Sequence, residues 1–273
     1  MRQISNITVH CLIKNEENFI SYAIRSVIDY VDNIIVFDTG STDKTVDLIK
    51  SLAKEYPDKI IFQEKGECDK KSHTALRQEM IEITTTKWFM TLDGDEIWTE
   101  KGMEEMIGII NSDKKVECLI VPYYLCVGDV YHYSKRGKCD ILNNNNHHYP
   151  RCFKMLPGVH WGGDYGEGDC VLDKEERELH RRDNTVFLKN KYWHASALVR
   201  SSKDQEINLG RNKQVMTYSL KILGEGFRIK ENLPEIICKS KDDNLARLSL
   251  IKSWRNLIVL VAFKIGLYKK RYL

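Results

Sequence analysis

The sequence predicts an α/β protein built on a mostly parallel β-sheet flanked by helices. Over the first hundred residues, short apolar segments alternate with segments whose apolar residues recur at helical spacing, which is typical of parallel strands joined by crossover helices. The 273 residues are 42% hydrophobic and 30% charged, with only 5 Pro and 16 Gly. This composition permits a sizeable core and excludes a disordered or low-complexity chain.

Four strands are predicted in this first part, because four short segments are apolar and bounded by polar residues. They cover residues 7–13, 33–37, 59–63 and 87–92. The second is apolar on both faces, as a central parallel strand is.

Three helices are predicted between these strands. The first has apolar residues at helical spacing over 19–31 and ends near Asp32. The second follows residues 41–43, Ser-Thr-Asp, whose side chains can cap a helix N-terminus, and Pro57 ends it. The third covers residues 73–83.

Beyond residue 96 the pattern is less regular, and the sequence has no internal repeat. We expect one helix, several extended segments, a polar loop, a Gly-rich segment and then mostly helix over the last seventy residues. The segments are a helix at 103–110, extended segments at 118–121, 123–133, 151–155 and 189–196, a polar loop at 143–148 with solvated His147 and His148, and a Gly-rich segment at 158–168.

Charge and cysteine content exclude several classes of protein. A net charge of +3 is too small to favour nucleic-acid binding by the whole chain. The apolar stretch near the N-terminus is interrupted by His10 and Lys14, so it predicts neither a signal peptide nor a transit sequence, and a cytoplasmic location is expected. The 8 Cys form no C-x-x-C pair, which favours free thiols in a reducing compartment.

Two acidic segments follow predicted strands at the carboxyl edge of the sheet, where open α/β folds bind ligands. Asp93-Gly94-Asp95 can direct two carboxylates at one point and hold Mg²⁺ or Mn²⁺ against a phosphate. Asp38 can accept hydrogen bonds from a base or ribose, and Gly40 allows close approach of a diphosphate to the next helix N-terminus. The alternatives are an acidic turn and a helix cap, respectively.

Three segments resemble the motifs of family-2 glycosyltransferases with the GT-A fold. They are ITVHCLIKNEE, NIIVFDTGSTDKT and WFMTLDGDE, in the order and spacing of that family. The resemblance implies a GT-A nucleotide-diphospho-sugar transferase fold with a Rossmann-like sheet. It also implies a catalytic domain over 1–200, with a nucleotide-binding part at 1–98 and an acceptor part at 99–200, and a helical C-terminal region at 201–273.

The same resemblance implies roles for individual residues. Asn15, Glu17, Asp38 and Gly40 would contact the nucleotide, and Asp93 and Asp95 would bind the metal and the sugar diphosphate. In SHTALRQE, which is similar to the family's Ala-Arg-Asn segment, Arg77 is a candidate donor contact although both neighbouring residues differ. His194 resembles the late histidine that closes the metal site and favours Mn²⁺ over Mg²⁺.

An inverting transfer also needs a general base, normally a carboxylate. Tyr149-Pro-Arg-Cys-Phe153 resembles the family's Pro-Arg-Leu-Phe strand, and WGGDYGE resembles its Trp-x-Gly-x-Val-His-Glu segment. Glu167 occupies the position of the acid in that segment, although Gly166 replaces the preceding His. Asp164, Asp169 and Glu96 are the alternatives.

The C-terminal region is basic, with seven Lys or Arg and no acidic residue from Asn244 to Leu273. The apolar run at 257–263 is far shorter than the roughly twenty residues of a membrane-spanning helix. A helix here could lie on an anionic membrane, or it could pack on the catalytic body with its basic side in water.

The sequence therefore predicts a metal-dependent, inverting glycosyltransferase, cytoplasmic or peripheral on the inner face of the membrane. It would move a sugar from a nucleotide-diphosphate donor, UDP by family frequency, to a glycan or lipid-linked acceptor. The alternatives are a peptide or protein glycosyltransferase and a catalytically silent module that binds nucleotide sugars. A sugar-1-phosphate nucleotidyltransferase is disfavoured, because the loop at 14–18 is not Gly-rich.

Overall fold

A computed structural model describes residues 6–134, 147–205 and 227–239 as a mixed β-sheet flanked by helices. The helices are α1 (Ile20–Val27), α2 (Thr45–Glu55), α3 (Lys70–Glu82), α4 (Glu100–Ser112) and α5 (Glu235–Lys239). The strands are β1 (Ile7–Ile13), β2 (Asn33–Asp38), β3 (Ile60–Glu64), β4 (Trp88–Thr91), β5 (Glu96–Ile97), β6 (Cys118–Val127), β7 (Asp129–Tyr133), β8 (His148–Lys154), β9 (His160–Asp164), β10 (Glu167–Leu172), β11 (Thr185–Phe187), β12 (Tyr192–His194) and β13 (Phe227–Arg228).

The main sheet has a parallel half and a mixed half. Its strand order is β13-β7-β6-β8-β4-β1-β2-β3, and β4, β1, β2 and β3 are mutually parallel. Strand β8 runs antiparallel to both β4 and β6, and β11 and β12 pair in parallel with β6. The predicted α/β architecture is therefore confirmed, with the parallel part confined to the first hundred residues.

Alternate side chains of the central strands point to opposite faces of the sheet, and both faces are apolar and buried. On one face, Val9 and Val36 belong to a core that includes the buried sides of α1, α2 and α4. On the other face, Ile35 and Phe37 pack against Met80 of α3. Helices cover both sides of the parallel half, which explains why β2 is apolar on both of its faces.

The predicted elements of the first hundred residues are present, with small shifts at helix starts. Helix α2 begins at Thr45 after Lys44, whose side chain makes no capping hydrogen bond, and the predicted capping segment serves in its place, because Asp43 Oδ1 accepts from Thr45 N at 2.9 Å. Helix α3 begins at Lys70, three residues before the prediction, because Asp69 and Ser72 form a capping box.

The second hundred residues differ more from the sequence prediction. The Gly-rich segment at 158–168, for which no strand was predicted, contributes to an antiparallel hairpin of β9 and β10. His147 and His148 are half-buried and not simply solvated, since the ring of His147 lies 5.0 Å from that of Tyr123 and His148 begins β8.

The C-terminal region predicted to be helical is described only in part. Residues 227–228 form a strand that pairs with β7, and α5 contacts α1. The basic segment at 244–273 lies outside the described residues. Within the described ranges, no helix has the length and apolarity needed to cross a bilayer.

The packing predicts unequal effects for two isoleucines that face each other across strands β2 and β3. Ile35 is 1% exposed and its register partner Ile61 is 43% exposed. Replacing Ile35 with Ala is expected to lower the free energy of unfolding by about 2–5 kcal/mol through the cavity it leaves. Ile61→Ala is the matched control, with a loss below about 1 kcal/mol. Urea denaturation measures both, and equal losses would contradict this description of the core.

Candidate active site

A large cleft opens at the carboxyl edge of the parallel strands, where β1, β2 and β4 end. Its volume is about 1110 Å³, and it is lined by Asp93, Gly94 and Asp95 and by Thr39, the residue after Asp38. Residues lining it include Lys14, Glu16, Thr39, Arg77, Asp93, Asp95, Tyr149, Arg151, Tyr165, Asp169, His194 and Arg200.

An acidic and imidazole cluster lies at the wall of the cleft, where Asp93 and His194 line it and Glu96 is fully buried. Potential ligand atoms of Asp93, Glu96 and His194 all lie within 4.8 Å of one another. The strands place them together, because β12 pairs antiparallel with β5 and sets His194 opposite Glu96. Asp95 lies beside this cluster, with its Oδ1 3.5 Å from His194 Nε2.

Arg151 supplies positive charge to this cluster from β8. Its Nη2 donates hydrogen bonds to Asp93 Oδ2, at 3.0 Å, and to Glu96. Burial raises the pKa of the Glu96 carboxyl to about 7, although the neighbouring Arg151 guanidinium acts in the opposite direction. Burial lowers the pKa of His194, but the carboxylates of Asp95, Glu96 and Asp93 outweigh it, and the pKa lies above its ordinary value.

Arg200 supplies positive charge from the opposite side. Its Nη1 donates to Glu16 Oε1 at 2.9 Å and to Asp95 Oδ2 at 3.0 Å. The adjoining backbone is fixed to the loop after β1, because Asn18 N donates to Arg200 O at 3.0 Å and Ser202 N donates to Glu17 Oε1 at 2.6 Å. Arg200 is therefore held in place from both its side chain and its main chain.

The backbone of Gly94 lies close to the side chain of Glu16. A Cβ at residue 94 would lie 2.7 Å from Glu16 Cγ and 3.0 Å from its Cβ. The middle residue of the Asp-Gly-Asp segment therefore has no room for a side chain while Glu16 contacts Arg200.

The residues expected to contact the nucleotide mostly join two loops to each other. Asn15, which has a φ of 55°, accepts from Thr42 N at 2.8 Å, and Glu17 Oε2 accepts from Lys44 N at 3.1 Å. Asp38 Oδ2 accepts from Gly40 N at 3.0 Å and from Ser41 N at 2.9 Å. Asp38 is buried and lies behind the cleft wall.

The remaining predicted residues lie on the β9–β10 hairpin and on α3, which it contacts. Arg77 Nη1 donates to Asp169 Oδ2 at 2.8 Å, and both residues line the cleft. Asp164 is exposed at the end of β9, and Glu167 is the first residue of β10, paired with Asp164 in the ladder.

The donor set fits a hard divalent cation. Two carboxylates and an imidazole offer oxygen and nitrogen ligands of the type that Mn²⁺ accepts. His194 Nδ1 is buried and has no hydrogen-bond partner among the described residues. The cluster in the structure contains Glu96 in addition to two of the three metal ligands expected from the sequence, with Asp95 adjacent to it.

The charged residues of the cleft that carried no role in the sequence prediction include Glu16, Arg151 and Arg200. Arg151 lies within a segment that resembles the family, so the motif itself was a usable signal. Arg200 meets Asp95 across 105 positions of the chain. No local pattern marks such a contact.

The family comparison gives the class of protein that this fold and cleft define. Residues 8–163, more than half of the chain, match the family model described as Glycosyl transferase family 2. The chain belongs to glycosyltransferase family 2. This membership and the observed sheet agree with the predicted GT-A fold class.

Among individual proteins, the chain is similar to two curated relatives. It is 32% identical over 197 residues to the SPbeta prophage-derived glycosyltransferase SunS of Bacillus subtilis (strain 168), and the same figures hold for glycosyltransferase SunS of Bacillus phage SPbeta. Each match covers 67% of this chain and 45% of the relative. The chain therefore spans less than half the length of these relatives.

The matches among solved structures include two with TM-scores below 0.5. S. aureus TarS 1-349 gives a TM-score of 0.45 at 12% identity, covering 89% of this chain and 69% of that one. The mannosyltransferase PcManGT from Pyrobaculum calidifontis, in complex with GDP-Man and Mn²⁺, gives a TM-score of 0.46 at 14% identity. The match covers 97% of this chain and 81% of that one.

The geometry predicts that Arg200 contributes strongly to stability. Arg200→Met would leave the carboxylates of Glu16 and Asp95 buried without this guanidinium, and we expect a loss of about 3–5 kcal/mol in the free energy of unfolding. Arg25→Met is the control, because Arg25 pairs with Glu55 at the surface and should cost less than about 1 kcal/mol. Chemical denaturation at neutral pH compares the two variants. Equal losses would show that Arg200 does not compensate the buried acids.

Proposed function

We propose that the chain transfers a sugar from a nucleotide-diphosphate donor, a UDP-sugar, to a hydroxyl of a glycan or lipid-linked acceptor, with a divalent cation and with inversion. The observation that carries this proposal is the cluster of Asp93, Glu96 and His194, two of which, Asp93 and His194, line the large cleft. A nucleotide diphosphate with its cation is the ligand that such a cluster at strand ends suits best. Membership of glycosyltransferase family 2 supports the same reaction class.

The donor half of the proposal uses the loops after β1 and β2. Lys14 and Thr39 line the cleft beside the acidic cluster, and the loop contacts of Asn15, Glu17 and Asp38 shape this wall. We place the nucleoside against this wall and the diphosphate toward Asp93. The arrangement gives the negatively charged donor cationic neighbours on both sides, because Arg151 and Arg200 line the same cleft.

The cation would be held by Asp93 and His194, with Glu96 or Asp95 as the further carboxylate. When bound, Mn²⁺ or Mg²⁺ would stabilise the charge that develops on the leaving diphosphate. In the structure, Arg151 donates hydrogen bonds to Asp93 and Glu96. A bound cation would compete with Arg151 for these two carboxylates.

The acceptor step requires one proton to be moved. The acceptor oxygen attacks the anomeric carbon, the bond from that carbon to the diphosphate oxygen breaks, and the nucleoside diphosphate leaves with the electron pair. We assign Glu167, at the start of β10, as the base that takes the hydroxyl proton.

Aromatic rings in the cleft support a carbohydrate acceptor. Tyr149 and Tyr165 line the cleft and are 44% and 46% exposed. Exposed rings with polar edges suit the mixed apolar and hydroxyl faces of a sugar. The basic segment at 244–273, outside the described residues, supports a lipid-linked form of this acceptor at an anionic membrane.

Nucleotide binding tests the donor half directly. UDP, GDP, dTDP and CMP, each with and without Mn²⁺, are compared by melting temperature and calorimetry. We expect UDP to raise the melting temperature only when Mn²⁺ is present, because ligands that bind the native state stabilise it by mass action. Asp93→Asn is expected to abolish that shift.

The control is Asp58→Asn, an exposed acid remote from the cleft, which should keep the full shift. If no nucleotide binds to the wild type under any condition, the glycosyltransferase proposal fails. Binding without any hydrolysis or transfer of a sugar would instead favour a silent binding module.

The proposed base predicts a separation of rate from affinity. Glu167→Gln is expected to lower kcat for transfer by about 10²–10⁴-fold, because a general base contributes of that order, and to leave UDP affinity unchanged. Asp164→Asn, at the register partner of Glu167 across the hairpin turn, is the matched control and should retain activity. Acceptor panels of glycans, lipid-linked sugars and peptides supply the assay. A loss with Asp164→Asn and none with Glu167→Gln would reassign the base.

A further inference from the structure

The β9–β10 hairpin is a separate two-stranded sheet that packs on helix α3. Trp161 N donates to Gln78 Oε1 at 3.0 Å, and Tyr165 N donates to Lys70 O at 3.4 Å. Helix α3 lies on the nucleotide side of the cleft, whereas the hairpin contains the proposed base. The contact between them therefore joins the two halves of the proposed reaction.

One ion pair lies at the centre of this contact. Arg77 and Asp169 are 14% and 19% exposed, and Arg77 Nη1 donates to Asp169 Oδ2 at 2.8 Å. The other oxygen of the same carboxylate, Oδ1, accepts from Gly166 N in the hairpin turn at 2.8 Å. Asp169 thus connects the turn before Glu167 to helix α3, and both of its oxygens are engaged.

Aromatic contacts surround the ion pair and hold the guanidinium in the same place. The Arg77 guanidinium carbon lies 4.6 Å from the ring centroid of Trp161 and 5.5 Å from that of Tyr165. His73, one helical turn earlier on the same face of α3, packs against Tyr165 with ring centroids 3.8 Å apart and ring planes tilted by 32°. Arg77 therefore contacts both strands of the hairpin and the residue that begins its turn.

The two strands of the hairpin pack tightly against each other, so the hairpin moves as one unit and the Arg77–Asp169 contact sets its position. Gly163 has a φ of +76°, and a Cβ there would lie 2.3 Å from Gly168 O. The two strands meet so closely around Glu167 that a shift at Asp169 would carry the neighbouring residues with it.

From this geometry we propose that Arg77 is a positioning residue which, with Asp169, holds the hairpin containing Glu167 at the cleft, and that it does not serve as a donor ligand. The inference rests on the proposed function, because it assigns the hairpin to the attack step. It also removes Asp169 as a base, since both of its oxygens hold the turn and Arg77. Misplacing a reacting group by about 1 Å can cost about 10²-fold in rate, and a looser hairpin should cost about tenfold or more.

The test compares Arg77→Gln and Asp169→Asn in the full chain. We expect both variants to bind UDP–Mn²⁺ within about twofold of the wild type, and to lower kcat for hydrolysis of UDP-glucose by about tenfold or more at unchanged KM. Both should also speed amide hydrogen exchange in residues 160–172 by about tenfold. The double variant should be no worse than either single one, because the two residues act as a unit.

Glu79→Gln is the matched control. Glu79 lies on the same helix and pairs with Lys65 at 2.5 Å, but it does not line the cleft, so this variant should leave affinity, kcat and hairpin exchange unchanged. Arg77→Lys, which keeps the charge, should restore part of the lost rate.

The inference is overturned if Arg77→Gln weakens UDP–Mn²⁺ binding about tenfold while Asp169→Asn does not, since Arg77 would then contact the donor. It is also overturned if hairpin exchange is the same in all variants. A wild type that binds no nucleotide would defeat the proposed function alone, because hydrogen exchange still reports on the hairpin contact.

Discussion

Burial of several carboxylates at one point is the constraint on which the rest of the structure depends. Asp93, Asp95 and Glu96 lie within four residues of chain, and the last two are almost fully buried. Buried charges are costly unless they are paired and hydrogen-bonded. Arg151 and Arg200 provide that pairing, and both come from parts of the chain far from the acidic segment.

The mixed topology follows from this need. The parallel strands alone would leave the carboxylates after β4 without a cationic partner. Strand β8 runs antiparallel beside β4 and brings Arg151 to the end of that strand. Strand β12 pairs with β5 and delivers His194, and the chain then returns along the loop after β1 to place Arg200. The second half of the fold thus completes a charge arrangement that the first half begins.

Local sequence patterns were sufficient for the parallel half, because each strand and helix there has its own periodicity and boundary residues. They also located the Asp-Gly-Asp segment at the sheet edge. They were insufficient for Arg200, whose partners Glu16 and Asp95 are distant in sequence. They also predicted no strands in the Gly-rich segment, where Gly163 lies against Gly168 in the hairpin. Long-range pairing has no periodicity to detect.

The close approach of Gly94 to Glu16 has an evolutionary consequence. A methyl group at residue 94 would collide with the Glu16 side chain, and shortening that side chain would remove one acceptor from Arg200. Substitutions at the two positions should therefore be correlated among relatives of this chain. A relative with Ala or Ser in the middle of the acidic segment should have a smaller residue at the position of Glu16 and a different cation partner after the β12 histidine.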